Sequence, residues 1–386
     1  TFFIETKYSI QYNARKGVVK VWKGKLPKEI LEIQQRGYVS SERVSYPEGI
    51  EIIDCELGTS PLGMPESLRR LLKNGNLCDL CDYPAPEPED LKDALAAVHG
   101  AWNVASKQIL VGGGSIGVLV SLFRVLLRPG SVMTGISPQF TDAALQALYR
   151  GAAYEPVKLE APRYSIEKKD ILEALKRKPE VLYIDRPHNP TGQVLSLEDL
   201  AELVRFAMET GTWVISDEAY GDFLPDEESA AVLDFPNLVV CRSFSKALGA
   251  AGIRVGYAIC RDPELAALYR KVQPPFVIGA LDARMALELL KDLSYLEEVR
   301  SYAKKAKPMV LEAISRKQGW LVADTDERVP IFLLSQESGN LVKRLADVGI
   351  ACAEGGGYFN LDDRSARLRV PSPDKLEDFL ERIKRA

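Results

Sequence analysis

Between Ile53 and about Val277 the chain alternates apolar runs of strand length with longer segments of helical periodicity. This alternation is typical of strands that pair in parallel and are connected by helices packed on both faces of the sheet. It predicts an α/β fold, a three-layer sandwich built on a mainly parallel, seven-stranded sheet. The strand candidates are residues 109–111, 132–136, 153–157, 181–184, 212–216, 238–241 and 256–259.

The alternating pattern stops at Pro274 and Pro275. Because 386 residues exceed the size at which one hydrophobic core stops growing, we expect two domains. The large domain is predicted over 53–277 and a smaller α+β domain over 278–386, with residues 1–52 as an arm or part of the smaller domain. The smaller domain is expected to contain helices at 278–290 and 293–318, strands around 329–334 and 368–370, and a final helix from Pro373.

Composition and charge exclude several classes of partner. A net charge of −4 and a pI near 5.6 argue against general binding to nucleic acid, which needs a basic face. No apolar stretch reaches the roughly 18 to 20 residues that span a bilayer, and the N-terminal residues do not resemble a signal peptide. We therefore expect a cytoplasmic protein with reduced thiols. Cys78 and Cys81 have metal-site spacing but no second pair, so no metal is expected.

Polar or small residues follow several of the predicted strands shortly after each one ends. They are Gly114 with Ser115, Asn189, Asp217 and Lys246. Open parallel sheets bind ligands in the crevice at the carboxyl ends of their strands. We therefore expect these residues to meet at one edge of the sheet.

Lys246 lies in a run of small residues, Ser243-Phe244-Ser245-Lys246-Ala247-Leu248-Gly249-Ala250-Ala251-Gly252-Ile253-Arg254. A lysine that forms an imine needs a tight, hydroxyl-lined and partly desolvated site, and Arg254 offers a fixed cation for an anionic cofactor. The segment predicts Schiff-base catalysis. Taken alone, it also fits a surface loop with a solvated lysine, but the polar positions upstream favour the site.

This ordered set closely resembles the fold-type I pyridoxal 5'-phosphate enzymes, in particular the class I/II aminotransferase family. The resemblance runs from about Ile53 to the C-terminus. It implies that Lys246 carries the cofactor as an aldimine and later moves a proton between the substrate α-carbon and the cofactor. It also implies that Asp217 keeps the pyridine nitrogen protonated, and that Tyr220 and Asn189 hold the phenolic oxygen.

The resemblance implies further cofactor contacts. The phosphate is expected at a helix start, bound by Gly114, Ser115, Ser243, Ser245 and Arg254. Phe140 matches the aromatic residue that stacks on the ring, although a core aromatic fits the sequence nearly as well. Tyr83 matches the tyrosine that reaches the partner's cofactor phosphate, which implies a homodimer.

The segment Ala366-Arg367-Leu368-Arg369-Val370 resembles the one whose arginine binds the substrate α-carboxylate. Its alternation selects Arg367, with Asn189 as a second substrate-binding residue. Arg369 departs from the family pattern, and we expect it either to bind a substrate side chain or to be solvated.

A narrower resemblance, in residues 58–65 and in Tyr83, points to the histidinol-phosphate aminotransferase branch. Thr59 and Ser60 stand where asparagine is customary in that branch. Residues 351–353 lack the arginine that grips the substrate phosphate. A phosphorylated substrate is therefore not expected.

The leading interpretation is amino-group transfer between an α-amino acid and a 2-oxo acid through a quinonoid intermediate. Enzymes similar to capreomycidine synthase share the same cofactor residues but eliminate or cyclise, and a decarboxylase is a further alternative. A binding-only role, as in transcriptional regulators that carry this fold, is disfavoured because no helix-turn-helix segment precedes Ile53.

Overall fold

The computed structural model describes residues 30, 32–33, 37, 44–75 and 81–386. Most of the predicted arm over 1–52 lies outside the described residues, as does Cys78, whereas Cys81 is exposed. Within the described ranges, no helix is both long enough and apolar enough to cross a membrane.

The described chain alternates strands and helices. The strands are β1 Ile53–Asp54, β2 Ile109–Gly113, β3 Val132–Thr134, β4 Ile136–Ser137, β5 Ala153–Tyr154, β6 Val157–Lys158, β7 Val181–Asp185, β8 Trp213–Asp217, β9 Leu238–Ser243, β10 Val255–Cys260, β11 Trp320–Val322, β12 Ile331–Gln336, β13 Ile350–Ala351, β14 Ala353–Glu354 and β15 Ser365–Arg369. The α-helices are α1 Glu66–Asn74, α2 Glu89–Val98, α3 Gly114–Leu126, α4 Thr141–Tyr149, α5 Lys168–Leu175, α6 Leu197–Thr210, α7 Pro263–Val272, α8 Ala280–Leu290, α9 Ser294–Ser315, α10 Leu341–Asp347 and α11 Leu376–Arg385.

The central sheet has seven strands in the order β2-β10-β9-β8-β7-β3-β5. Strands β5, β3, β7, β8 and β9 are parallel, whereas β10 is antiparallel to both of its neighbours. Every strand predicted for the large domain takes part in this sheet, so the α/β prediction is confirmed. Two predicted strands are shorter than expected, because 132–136 divides into β3 and β4 and 153–157 into β5 and β6. Strands β4 and β6 pair separately from the sheet.

Apolar side chains cover both faces of the central sheet. Val214 and Val240 belong to one core cluster, whereas their neighbours Ile215 and Val239 belong to another. Successive strand residues point to opposite faces, so the two clusters lie on opposite sides of the sheet. Helix α6 packs into the first cluster and α3 into the second, which gives the three expected layers.

The C-terminal part of the chain forms an antiparallel sheet in the order β11-β12-β15-β14. Its apolar residues pack with α9 and α11, and this core includes Ile53 and Cys55. Strand β1 also pairs in parallel with β13. The predicted helices at 278–290 and 293–318 correspond to α8 and α9, and α11 follows a short turn at Pro373–Lys375. The domain boundaries at 53 and 277 remain predictions.

Candidate active site

The carboxyl ends of β7, β8 and β9 border a cavity of about 290 Å³. Nearly all side chains singled out from the sequence line it: Ser115, Phe140, Asn189, Asp217, Tyr220, Ser243, Ser245, Lys246, Arg254 and Arg367. Gly114 lies beside the cavity, because a Cβ built on it would meet Arg254 Nη2 at 2.4 Å. Tyr83 is not brought to this cavity. Its side chain is 82% exposed and stacks on Phe276, with 4.7 Å between the ring centroids.

Asp217 and Lys246 face the cavity from neighbouring strand ends. Asp217 Oδ2 accepts a hydrogen bond from the Tyr183 hydroxyl at 2.8 Å, and Oδ1 accepts one from the Ala219 N–H at 3.0 Å. Burial raises the pKa of Asp217 to about 6, and these two donors and nearby Lys246 act in the opposite direction. Lys246 Nζ lies 5.3 Å from the centroid of the Tyr220 ring. The Asp217 carboxyl is thus buried in the cavity wall, where a cation in the cavity would favour its charged form.

A second group of residues forms an anion site. Arg254 donates from Nη1 to Ser245 Oγ at 3.3 Å and to the Ala251 carbonyl at 2.8 Å. Arg254 adopts a φ of +50°, in the left-handed region that non-glycine residues rarely occupy. A Cβ on Gly256 would come within 2.2 Å of Ser115 N, so only glycine lets β10 approach the start of α3 so closely. Helix N–H groups, hydroxyls and a guanidinium together suit a phosphate.

Arg367 and Tyr220 meet at the opposite end of the cavity. Arg367 Nη1 donates to the Tyr220 hydroxyl oxygen at 3.1 Å, and Nη2 donates to the Glu56 carbonyl. Burial raises the pKa of Tyr220, and Arg367 partly offsets the rise. Asn189 Oδ1 accepts from the Tyr358 hydroxyl at 3.2 Å. These contacts fix the guanidinium of Arg367, the phenol of Tyr220 and the amide of Asn189 around one part of the cavity.

Arg369 is neither solvated nor part of the cavity lining, contrary to both expectations. It is 5% exposed and donates to the carbonyls of Asp54, Leu57 and Val370, at 2.6, 3.0 and 3.1 Å. Arg367 and Arg369 share a face of β15, but Arg369 lies nearer the strand end, where the segment 54–57 covers it. It therefore holds the segment that brings Leu57 to the cavity.

The sequence reasoning missed several lining residues. They are Leu57, Ile116, Asp142, Asp185, Pro187, Ala219 and Ala251, together with Thr59, which was noted only as a departure. Asp185 had a usable signal, because it follows an apolar run as Asp217 does. Leu57 and Asp142 have no such signal, since Leu57 belongs to a connection and Asp142 to the first turn of α4 rather than to a strand end.

A buried charge network lies beside the cavity and was also missed. Glu218 accepts from Arg186 Nη1 at 3.0 Å and from Arg242 Nη1 at 2.8 Å, and all three side chains are at most 2% exposed. Glu218 also accepts from Ser229 Oγ at 2.6 Å and Ala230 N–H at 2.7 Å. Arg186 directly follows Asp185, Glu218 directly follows Asp217, and Arg242 directly precedes Ser243. The network therefore fixes the ends of the strands that carry the site.

His188 is buried outside the cavity lining. Its Nε2 donates to the Pro138 carbonyl at 2.8 Å, and its Nδ1 accepts from Thr191 Oγ1 at 2.7 Å. Burial lowers the pKa of His188 to about 4. The ring is therefore neutral and holds the loop that carries Asn189, in line with the sequence-based preference for a loop residue over a catalytic base.

The cavity fits a pyridine aldehyde that carries a phosphate. An amine, Lys246, and a buried carboxyl, Asp217, line the same cavity, and the glycine-lined start of α3 leaves room for an anion beside Arg254. The aldehyde, the ring nitrogen and the phosphate of pyridoxal 5'-phosphate therefore each have a complementary group in the cavity wall.

Comparisons with known proteins agree with this site. The sequence pattern of the family "Aminotransferase class I and II" matches residues 63–383. Histidinol-phosphate aminotransferase 1 of Mesorhizobium japonicum is 30% identical over 338 residues, which cover 84% of this chain and 88% of that protein. Histidinol-phosphate aminotransferase of Symbiobacterium thermophilum is 29% identical, with 87% and 91% covered.

Solved structures show the same fold. Histidinol-phosphate aminotransferase from Sinorhizobium meliloti, in complex with pyridoxal-5'-phosphate, superposes with a TM-score of 0.76 at 24% identity, covering 87% of this chain and 92% of that one. Aspartate aminotransferase from Thermus thermophilus with maleate gives a TM-score of 0.74 at 23% identity, with 88% and 92% covered.

The fold is that of the fold-type I enzymes that work with pyridoxal 5'-phosphate. The chain belongs to the class I and II aminotransferase family. It is an aminotransferase, and pyridoxal 5'-phosphate is its cofactor.

Proposed function

We propose that Lys246 is the amine that holds the cofactor and that Asp217 pairs with its ring nitrogen. The observation that carries this assignment is that the amine and the buried carboxyl face one cavity from adjacent strand ends. When bound, pyridoxal 5'-phosphate supplies an aldehyde carbon and an electron-withdrawing ring. Tyr220 and Asn189 would donate to its phenolic oxygen, and Phe140 would pack against its ring.

The phosphate is assigned to the anion site. Ser115 at the start of α3, Ser243, Ser245 and Arg254 supply N–H groups, hydroxyls and a permanent positive charge. The contact between Gly114 and Arg254 supports this assignment, because a side chain at position 114 would displace the guanidinium. The two ends of the cavity thereby set the direction of the cofactor.

Arg367 is assigned to the α-carboxylate of the amino-acid substrate. A guanidinium can bind both carboxylate oxygens and so fix the orientation of the substrate Cα–H bond. The Lys246 amine, once released, is placed to take the proton from the α-carbon. The proposed reaction is transfer of an amino group from an α-amino acid to a 2-oxo acid.

The active unit is proposed to be a homodimer. Tyr83 and Phe276 form an aromatic pair that is exposed in the single chain, and Tyr83 is not among the residues that line the cavity of its own chain. A second copy of this chain would cover the pair and receive Tyr83 at its phosphate site. The cytoplasmic location remains a prediction from the sequence.

Purified protein reconstituted with pyridoxal 5'-phosphate tests the function directly. It is incubated with single amino acids and one 2-oxo acid, while the visible absorbance is followed and products are identified by mass. An aminotransferase forms a new 2-oxo acid and a new amino acid in equal amounts. Release of a β- or γ-substituent, ring closure or loss of CO₂ without that exchange would contradict the proposal. The Lys246→Ala variant is the control for uncatalysed exchange.

A further inference from the structure

Asp185 is a second buried carboxyl at the same edge of the cavity as Asp217. The two residues are register partners on the parallel strands β7 and β8, and each is 4% exposed. Register partners on neighbouring strands place their side chains on the same face of the sheet. Two carboxyls therefore stand side by side where the proposed function needs only one.

The two carboxyls have different hydrogen-bond partners. Asp217 accepts from the Tyr183 hydroxyl and the Ala219 N–H, so both of its oxygens are used. Asp185 accepts at Oδ2 from the Phe140 N–H at 2.8 Å, and the Tyr183 hydroxyl and the Asn189 N–H lie near its carboxyl, but no donor among the described residues reaches Oδ1 in hydrogen-bonding geometry. Burying an ionised oxygen without a donor costs more than burying a neutral O–H, because only the ionised form carries a full charge out of water.

We propose that Asp185 is a proton-holding positioning residue. In the folded chain its Oδ1 carries a proton, so that Asp217 is the ionised member of the pair, and its Oδ2 fixes the Phe140 backbone as part of a neutral acid. The effect on the cofactor rests on the proposed function, whereas the proton on Asp185 does not.

The surroundings of Asp185 favour its neutral form. Burial raises the pKa of Asp185 to about 8, and the charge of Asp217 adds to the rise, against the Tyr183 hydroxyl and the Phe140 and Asn189 N–H groups. Three titratable groups near Asp185 belong to strands: Asp217 on β8, Tyr183 on β7 and Tyr154 on β5. The others are Tyr220 after β8, Lys246 after β9 and Asp142 in the first turn of α4. The charge of Lys246, which lines the same cavity, lowers the pKa of Asp217. The pair therefore shares one negative charge, and Asp217 holds it.

A neutral Asp185 has two consequences. The single charge of Asp217 remains available to a protonated ring nitrogen. At alkaline pH, loss of the proton from Asp185 places a second negative charge beside the first, which changes the electrostatic environment of the ring. Asn at position 185 mimics the protonated acid, because its NH₂ group can stand where the O–H stands and its carbonyl can accept from Phe140.

The first test uses protein without cofactor. Thermal unfolding midpoints of the wild type, Asp185→Asn and the exposed control Asp93→Asn are measured from pH 5 to 9. Because the folded chain holds a proton that the unfolded chain releases above about pH 4, stability falls as pH rises toward the folded-state pKa. We expect the unfolding midpoint of Asp185→Asn, relative to that of the wild type, to rise progressively up to about pH 8. The corresponding difference between Asp93→Asn and the wild type should stay constant over the same range. A difference that is independent of pH, or that changes in favour of the wild type, would overturn the proposal.

The second test reads the bound cofactor. We expect the visible absorbance of the wild-type holoenzyme to show an alkaline transition that Asp185→Asn lacks, and retention of that transition in the variant contradicts the proposal. If the variant does not fold, the infrared spectrum of the wild type in D₂O serves instead, since a protonated carboxyl must persist at pH 7 and disappear on alkaline titration. A chain that never binds pyridoxal 5'-phosphate would refute the proposed function, but the unfolding and infrared results would still decide the protonation of Asp185.

Discussion

The two ends of the cavity are built in different ways. The end proposed for the cofactor, with Asp217, Ser243 and Lys246, comes from consecutive strands of one parallel sheet. The end proposed for the substrate combines Leu57 and Thr59 with Arg367, which are separated by some 300 residues along the chain. The sheet fixes the first end by strand order alone, whereas the second depends on tertiary contacts of connecting segments. Changes at the cofactor end should therefore affect chemistry and folding, and changes at the substrate end should affect selectivity.

Loss of the amine at the cofactor end is expected to have the largest effect. Lys246→Ala should lower kcat by about 10⁴-fold or more, because it removes the amine that we propose both to hold the cofactor and to act as the acid–base group. Turnover is measured with the best amino-acid substrate, and the absorbance records cofactor binding. Near-normal turnover in the variant would contradict the assignment of Lys246 as the amine that holds the cofactor.

The buried network beside the cofactor end should contribute strongly to stability. Glu218→Gln leaves the buried Arg186 without a counter-charge among the described residues and leaves Arg242 with Asp222 alone, so we expect a loss of about 3–5 kcal/mol in the free energy of unfolding. Urea denaturation measures it, with Glu312→Gln, whose partner Arg316 is exposed, as the matched control. Similar small changes in both variants would mean that the strand ends do not depend on this network.

At the substrate end, Arg367→Lys should separate substrate binding from cofactor binding. A lysine keeps the charge but cannot form two parallel hydrogen bonds to a carboxylate. We expect kcat/KM for the amino acid to fall by about 10–100-fold, as loss of a charged hydrogen bond predicts, while the absorbance of the bound cofactor is retained. An equal loss of cofactor affinity would show that the two ends are not separable.

Arg369→Met should have the smallest effect and should act through Leu57. The variant keeps an apolar stem but loses the hydrogen bonds to the carbonyls of Asp54 and Leu57. We expect kcat/KM to fall by about tenfold, the size of one ordinary hydrogen bond, with altered ranking among amino acids of different side-chain size. An unchanged ranking would show that the position of segment 54–57 does not set selectivity.

The contrast between strand ends in one sheet and segments held by tertiary contacts also explains which parts of the site could be predicted from the sequence. The apolar runs before Asn189, Asp217 and Lys246 predicted a sheet, and in a parallel sheet those residues must meet at one edge. Tertiary contacts were not predictable in this way. Arg369 carries no local sign that segment 54–57 covers it, and the division of residues 132–136 into two short strands depends on the pairing of β4 with β6. Asp185 was missed although the strand-end rule applied to it.

Borohydride reduction followed by peptide mapping tests the central claim most directly. Reduction of the reconstituted protein converts a Schiff base into a stable secondary amine, and mass spectrometry of the peptides then locates the modified lysine. We predict that the added mass lies on the peptide that contains Lys246 and that the Lys246→Ala variant carries none. Modification at a different lysine, or an unmodified protein after reduction, would contradict the account.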